Sequence, residues 1–140
     1  MATVLDATVV VAVLAADDPR HEEAIAWLAT CDDELVTTPV AAAEMDCFAQ
    51  REGGAAAQSL LWADFENGAY GVRWWADAMQ ETVDIARRWA YMELGLADAS
   101  LIALAARVRT DRIATLDHRH FRQVTTTNGE PFVVLPADAS

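Results

Sequence analysis

Lysine is missing from this chain of 140 residues: all ten basic side chains are arginine. That removes chemistries that need a buried or phosphate-facing ammonium. Cysteine is nearly as scarce. Cys31 and Cys47 are too few and too isolated for a disulfide framework or a cysteine metal site, so both read as small buried hydrophobes in a reducing cytoplasm. No apolar run approaches the roughly 18 residues of a membrane helix. No basic stretch opens the chain, and Asp6 interrupts the one candidate signal core. Repeats, linkers and low-complexity segments are lacking too. These absences lead to the expectation of a soluble cytoplasmic protein without membrane contact, folded as a single domain over residues 1–140 around the core that 54% hydrophobic residues can supply.

Positive charge is in short supply as well, with a formal net charge of −12. A balance so acidic points away from nonspecific nucleic-acid binding, which draws on basic surface. The distribution qualifies this: Arg107, Arg109, Arg112, Arg119 and Arg122 fall together near the C-terminus with His118 and His120. Arginine presents a planar fork suited to phosphate oxygens, and a solvated face would account for the same cluster.

The chain opens on a short apolar strand, Ala2 to Leu5, with Asp6 at its C-terminal end and a helix from about Ala7 to Ala15. Asp18 as cap and Pro19 at the first helical position start a second helix that runs to about Ala29. Ile25 and Leu28 mark its inner face, Trp27 is partly covered and His21 lies on the surface. Glu34 to Thr37 forms the second strand. Thr38-Pro39 repeats the start signal for a helix from Val40 to Arg51, Gly53-Gly54 breaks it, and Ala55 to Glu66 makes another. Tyr70 to Trp75 reads as the third strand. A long helix from Ala76 to Met92 follows, with Met79, Val83, Ala86 and Ala90 on one face. After Gly95 a nearly all-apolar helix runs from Ala99 to Val108, then come a fourth strand, Arg112 to Thr115, a short helix from His118 to Gln123, and a last strand, Phe132 to Leu135. The five Trp residues read as core or subunit-interface anchors rather than base-stacking platforms.

Alternating strands and helices imply an α/β fold with a parallel sheet flanked by helices. In such a sheet every strand ends on one edge, where α/β folds carry their sites. Asp6 after the first strand, Glu44 in the helix after the second, Asp117 after the fourth, and Asp98 at the start of the buried helix can therefore converge. Taken singly each has a plain structural explanation, as helix cap, turn residue or solvated acid. Together in one pocket they would repel strongly, so protons or a cation must be present. Oxygen-only ligation selects a hard cation, Mg²⁺ or Mn²⁺, and such an ion suits hydrolysis of a phosphate ester. Asp46, pointing away around its helix, reads as solvated.

Leu5-Asp6-Ala7-Thr8, Pro39 with Glu44, Gly95-Leu96-Ala97-Asp98-Ala99, and Ile113-Ala114-Thr115-Leu116-Asp117-His118-Arg119-His120-Phe121 resemble, in order and spacing, the PIN-domain nucleases, specifically the VapC-type toxins of bacterial toxin–antitoxin pairs. The resemblance covers nearly the whole chain. It implies a PIN-like three-layer fold with a five-stranded parallel sheet of order 3-2-1-4-5, and a site of Asp6, Glu44, Asp98 and Asp117 around Mg²⁺ or Mn²⁺. Thr8 and Thr115 match positions where the family often keeps a hydroxyl. In that strand order Asp77, after the third strand, lies too far away to be a ligand. The implied activity is metal-dependent endoribonuclease action on structured RNA, tRNA or rRNA, by a homodimer that a cognate antitoxin neutralises. RNA would approach such an acidic protein through a local patch, with Arg112, Arg119 and Arg122 as candidates. A haloacid dehalogenase-like phosphatase would want an acid where this chain has Thr8, and a lysine; a receiver domain would also want a lysine. The alternative from a different class is a catalytically silent PIN-like module that binds a protein partner.

Overall fold

The structure is a computed structural model and describes residues 1–139. Five parallel strands form one sheet of order β3-β2-β1-β4-β5: β1 (Ala2–Leu5), β2 (Glu34–Thr37), β3 (Gly71–Val72), β4 (Arg112–Ala114) and β5 (Val133–Leu135). The helices between them are α1 (Ala7–Leu14), α2 (His21–Thr30), α3 (Pro39–Glu66), α4 (Ala78–Arg88), α5 (Leu96–Val108) and α6 (His118–Gln123). The fold class and strand order drawn from the sequence are thus found.

β1 is central and carries apolar side chains on both faces: Val4 and Leu5 are fully buried, and Val4 is in register with Val36 on one side and Ile113 on the other. Leu5 pairs with Ala114, and the Asp6 N–H donates to the Ala114 carbonyl at 2.9 Å. That register brings Asp6 beside Thr115 where both strands end. α1 leaves this edge at once, and Ala7, Val9, Val10, Val11 and Ala12 pack inward despite their modest helix propensity. Burial outweighs the few tenths of a kcal/mol that β-branching costs.

α3 begins as its sequence signals: Pro39 occupies the first position and the Thr38 hydroxyl accepts from the Ala41 N–H at 3.1 Å. The same hydroxyl lies 2.7 Å from the Ser100 hydroxyl, which donates to the Ala97 carbonyl. Both side chains are fully buried, so this contact fastens the start of α3, which bears Glu44, to the start of α5, which bears Asp98. Gly54 has φ 68° and ψ −163°, a conformation nearly confined to glycine, and it kinks α3 where two helices are expected.

Several expected details differ. α2 starts at His21, because Asp18 accepts from the Arg20 N–H in the turn before the helix. Its buried residues are Ala24 and Trp27, whereas Ile25 is 41% exposed. His21 lies half-buried, its Nδ1 bonded to the Ala12 carbonyl. β3 is two residues long, and α4 is shorter than expected, followed by a 3₁₀ turn at Ala90–Met92. Its buried face is Ala78, Thr82 and Ile85, one position round from the expected face, with Met79 exposed. α5 starts at Leu96 with Gly95 as cap, which puts Asp98 inside the first turn rather than at the cap. Cys31 is half-buried and Cys47 exposed, so neither is the buried hydrophobe expected. Of the tryptophans, Trp27 is core, while Trp62 is 53% exposed and donates from Nε1 to Asp46, which also accepts from Gln58. Asp46 is therefore held by partners rather than solvated. Among the described residues no helix is long and apolar enough to cross a membrane.

Candidate metal centre at the sheet edge

One pocket of about 300 Å³ lies over the C-terminal edge of β1 and β4, and Asp6, Glu44, Asp98 and Asp117 all line it. Thr8, Phe48, His120 and Phe121 complete its polar and aromatic wall. Four acids spread over 112 residues of sequence meet here, for the reason that parallel strands deliver their C-termini to one edge.

Asp6 is the most enclosed of them, 4% exposed. Its Oδ2 accepts from the Thr8 hydroxyl and from the Thr115 hydroxyl, each at 2.7 Å. The two hydroxyls are positioned in turn by the backbone: Leu116 N–H donates to Thr8 Oγ1 at 2.9 Å, and Asp117 N–H donates to Thr115 Oγ1 at 3.1 Å. A hydroxyl has one proton, and here both protons face Oδ2. This fixes the carboxylate rotamer and leaves Oδ1 as the oxygen directed to other partners. Thr115 is fully buried, so its hydroxyl has no water to fall back on.

The remaining acids register one another electrically. Burial, then the neighbouring Asp6, pushes the Asp98 carboxyl up to about 6; the His120 ring, whose Nδ1 lies 3.1 Å from Asp98 Oδ2, pulls the other way, and Asp117 adds a smaller upward push. Burial and then Asp6 and Asp98 raise Glu44 above the usual carboxylate range. Repulsion of this kind is what a divalent cation would relieve. The donor set consists of hard oxygen, as Mg²⁺ or Mn²⁺ requires. Among the described residues no three His, Cys, Asp or Glu side chains are drawn together tightly enough to hold an ion as they stand. An open set of this kind fits Mg²⁺, which keeps several waters and is not held by an all-protein cage.

The three candidate RNA-facing arginines are not brought together. Arg112 opens β4 and so lies at the opposite edge from Asp117, its Nε 2.7 Å from Asp33. Asp33 also accepts from Thr3, and that hydrogen bond first, then Arg112, holds its carboxyl below the usual range against the opposing effect of burial. Strand direction alone places Arg112 away from the site. Arg122 points to Asp138 with two bonds at 2.8 and 2.6 Å and does not line the pocket. Only Arg119 of the three stands at the site, 79% exposed and 3.8 Å from Asp117. Asp77, the residue set aside as a ligand, does not line the pocket.

The Arg122 fork, with the Val134 N–H next, lowers the Asp138 carboxyl to about 2. The sign follows from linkage: the folded value lies below the unfolded one near 3.8, so the stabilisation is complete above that value and is lost as pH falls toward 2. Acid titration of the fold, followed by circular dichroism, should therefore show a shallower loss of stability between pH 4 and 2 in Arg122→Ala than in the wild type.

Residues without an expected role also border the site. His120 touches Asp98, and Phe48 lines the pocket from α3. Arg20 and Arg51 lie just beyond it, beside Thr8, Phe48 and Asp117. No local signal marks either arginine: Arg20 follows a helix-start proline, and Arg51 precedes a glycine pair.

A parallel 3-2-1-4-5 sheet with four acids and two supporting hydroxyls on one edge defines a class, and comparison with known proteins names it: the PIN-domain model matches residues 3–126, and the chain belongs to the PIN-domain family. Among its relatives, ribonuclease VapC26 of Mycobacterium tuberculosis is 28% identical over 134 residues, covering 95% of this chain and 99% of the relative. The crystal structure of M. tuberculosis VapC20, described as a sarcin-ricin loop cleaving toxin, superimposes with a TM-score of 0.77 at 19% identity, covering 83% of this chain and 90% of that one. The resemblance to VapC-type PIN domains carried by the four motifs is borne out.

Proposed function

We propose that this chain is an Mg²⁺- or Mn²⁺-dependent endoribonuclease toxin of the VapC type, acting on tRNA or rRNA in the cytoplasm as a homodimer, and neutralised by a cognate antitoxin. The observation that carries the reading is the shared pocket of Asp6, Glu44, Asp98 and Asp117, with Asp6 oriented by Thr8 and Thr115. The names of the relatives, a ribonuclease VapC and a sarcin-ricin loop cleaving toxin, support ribonuclease activity and favour rRNA among the structured RNAs.

Asp6, Asp98 and Asp117 are the residues that would hold the ion, and it would supply Lewis-acid polarisation of the phosphodiester and charge for the leaving oxygen. Asp6 presents one oxygen because the other is occupied by two hydroxyls. Glu44 faces the same pocket, placed to take a proton from an attacking water or to hold that water in line. His120 orients Asp98 through Nδ1, and Arg119 at the rim faces the phosphates of an approaching strand.

The test is cleavage of total RNA by purified, antitoxin-free protein with Mg²⁺ or Mn²⁺, compared with chelator and with Asp117→Asn. Metal-dependent cutting abolished in both controls is the expected result. Equal RNA profiles in all arms, with either metal, would sink the nuclease reading and favour a silent protein-binding module.

A further inference from the structure

We infer that Arg51 and Arg20 form a phosphate subsite continuous with the acidic pocket, holding the RNA phosphate next to the one that is cut. The inference rests on the nuclease reading above and concerns how substrate is held there.

A second open pocket adjoins the first. It shares Thr8, Phe48 and Asp117 with the acidic pocket and carries Arg20 and Arg51 on its far side. An RNA strand with one phosphate among the acids and leaving the pocket on the side of Thr8 and Phe48 would bring its neighbouring phosphate into the pocket that Arg20 and Arg51 line. The Arg51 guanidinium stacks on the Phe48 ring, 4.6 Å from its centroid, and its side chain is 62% exposed. Its carboxylate partner is the adjacent Glu52 at 3.4 Å, a loose solvent-facing pair of little strength. Arg51 is therefore held in position by a ring and remains open to an anion.

Arg20 is held differently. Nε and Nη2 fork onto Glu23 at 2.9 Å each, and Nη1 donates to the Leu116 carbonyl at 2.9 Å, one residue before Asp117. Three of its five N–H groups are thus engaged and two remain. Three acids also line this pocket: Asp117, shared with the acidic pocket, Glu52 beside Arg51, and Asp18, which is bonded to the Arg20 backbone N–H. The contact with Leu116 ties Arg20 to the segment that presents Asp117. A net charge of −12 makes such a local anchor necessary, since the protein as a whole repels RNA.

Arg51 is the residue to test, because its exposure leaves the fold intact when it is changed. Binding of a short labelled single-stranded oligoribonucleotide of mixed sequence is measured across a salt series, with Mg²⁺, in an Asp6→Asn background that prevents cutting. Adding Arg51→Ala should weaken binding roughly tenfold and reduce the slope of log K against log salt by about 0.7. Arg51→Lys should recover most of the slope, and Arg88→Ala, which removes the same charge from α4, should leave it in place. In the cutting enzyme the loss should fall on KM with kcat retained. Equal affinity and slope for Arg51→Ala, or an equal loss in Arg88→Ala, would overturn the subsite. If the wild type cuts no RNA while the Arg51-dependent slope persists, the nuclease reading fails and the subsite stands.

Discussion

Asp6→Asn should lower RNA cleavage by about 10³-fold or more while leaving the protein as stable as the wild type in chelator, or more so. On the metal-dependent reading proposed above, the activity loss follows from removing one charged oxygen of the set that would face the ion, whose transition-state stabilisation would amount to several kcal/mol, and each 1.36 kcal/mol is tenfold. The stability follows from the neighbours. Asparagine has the same shape, and its carbonyl oxygen can accept from Thr8 and Thr115 as Oδ2 does now. Removing the negative charge also relieves the repulsion that raises Asp98 and Glu44. Single-turnover cleavage and thermal melting in EDTA check both halves. A variant that melts well below the wild type would show that Asp6 is needed for folding, and its inactivity would then carry no mechanistic meaning.

Thr115→Val should cost about 10–100-fold in metal affinity or activity, the usual effect of removing a partner that orients a ligand. Valine fills the same volume, so packing between β1 and β4 is kept. Two hydrogen bonds go with the hydroxyl: the one donated to Asp6 and the one accepted from the Asp117 N–H. Two different acids are released by a single substitution, which is why this position outweighs Thr8, whose hydroxyl is half-exposed and supports Asp6 and the Leu116 N–H. Isothermal titration with Mn²⁺ measures the affinity directly. Serine at the same place keeps the hydroxyl and should restore most of it; if Thr115→Ser is as weak as Thr115→Val, packing rather than hydrogen bonding accounts for the loss.

Much of this was legible in the chain because a parallel sheet is a strong constraint. Once β1 and β4 are placed, Asp6 and Asp117 must share an edge, and Asp98 and Glu44 follow through short connections. Helix phase was harder. In Ala24-Ile25-Ala26-Trp27-Leu28 every residue is apolar, so periodicity has nothing to distinguish the buried Trp27 from the exposed Ile25. The slip in α4 has a related origin: the inward positions hold Ala78 and Thr82, which hydropathy ranks below the exposed Met79. The basic residues near the site were beyond local reading for another reason. The arginines clustered in sequence are dispersed by strand direction, with Arg112 at the wrong edge, while Arg20 and Arg51 approach from segments whose positions depend on how α1 and α3 pack together.

The meeting of the Thr8 and Thr115 hydroxyls at Asp6 has a further consequence, for the order in which the site is assembled. Thr8 and Thr115 lie 107 residues apart, and Asp117 follows after them. Before β4 and the residues after it are present, Asp6 lacks one of its two orienting hydroxyls and the pocket lacks its fourth acid. The pocket is therefore complete only once Thr115 and Asp117 have joined the segment around Asp6, and a fragment that stops before β4 carries Asp6, Glu44 and Asp98 without the assembled site.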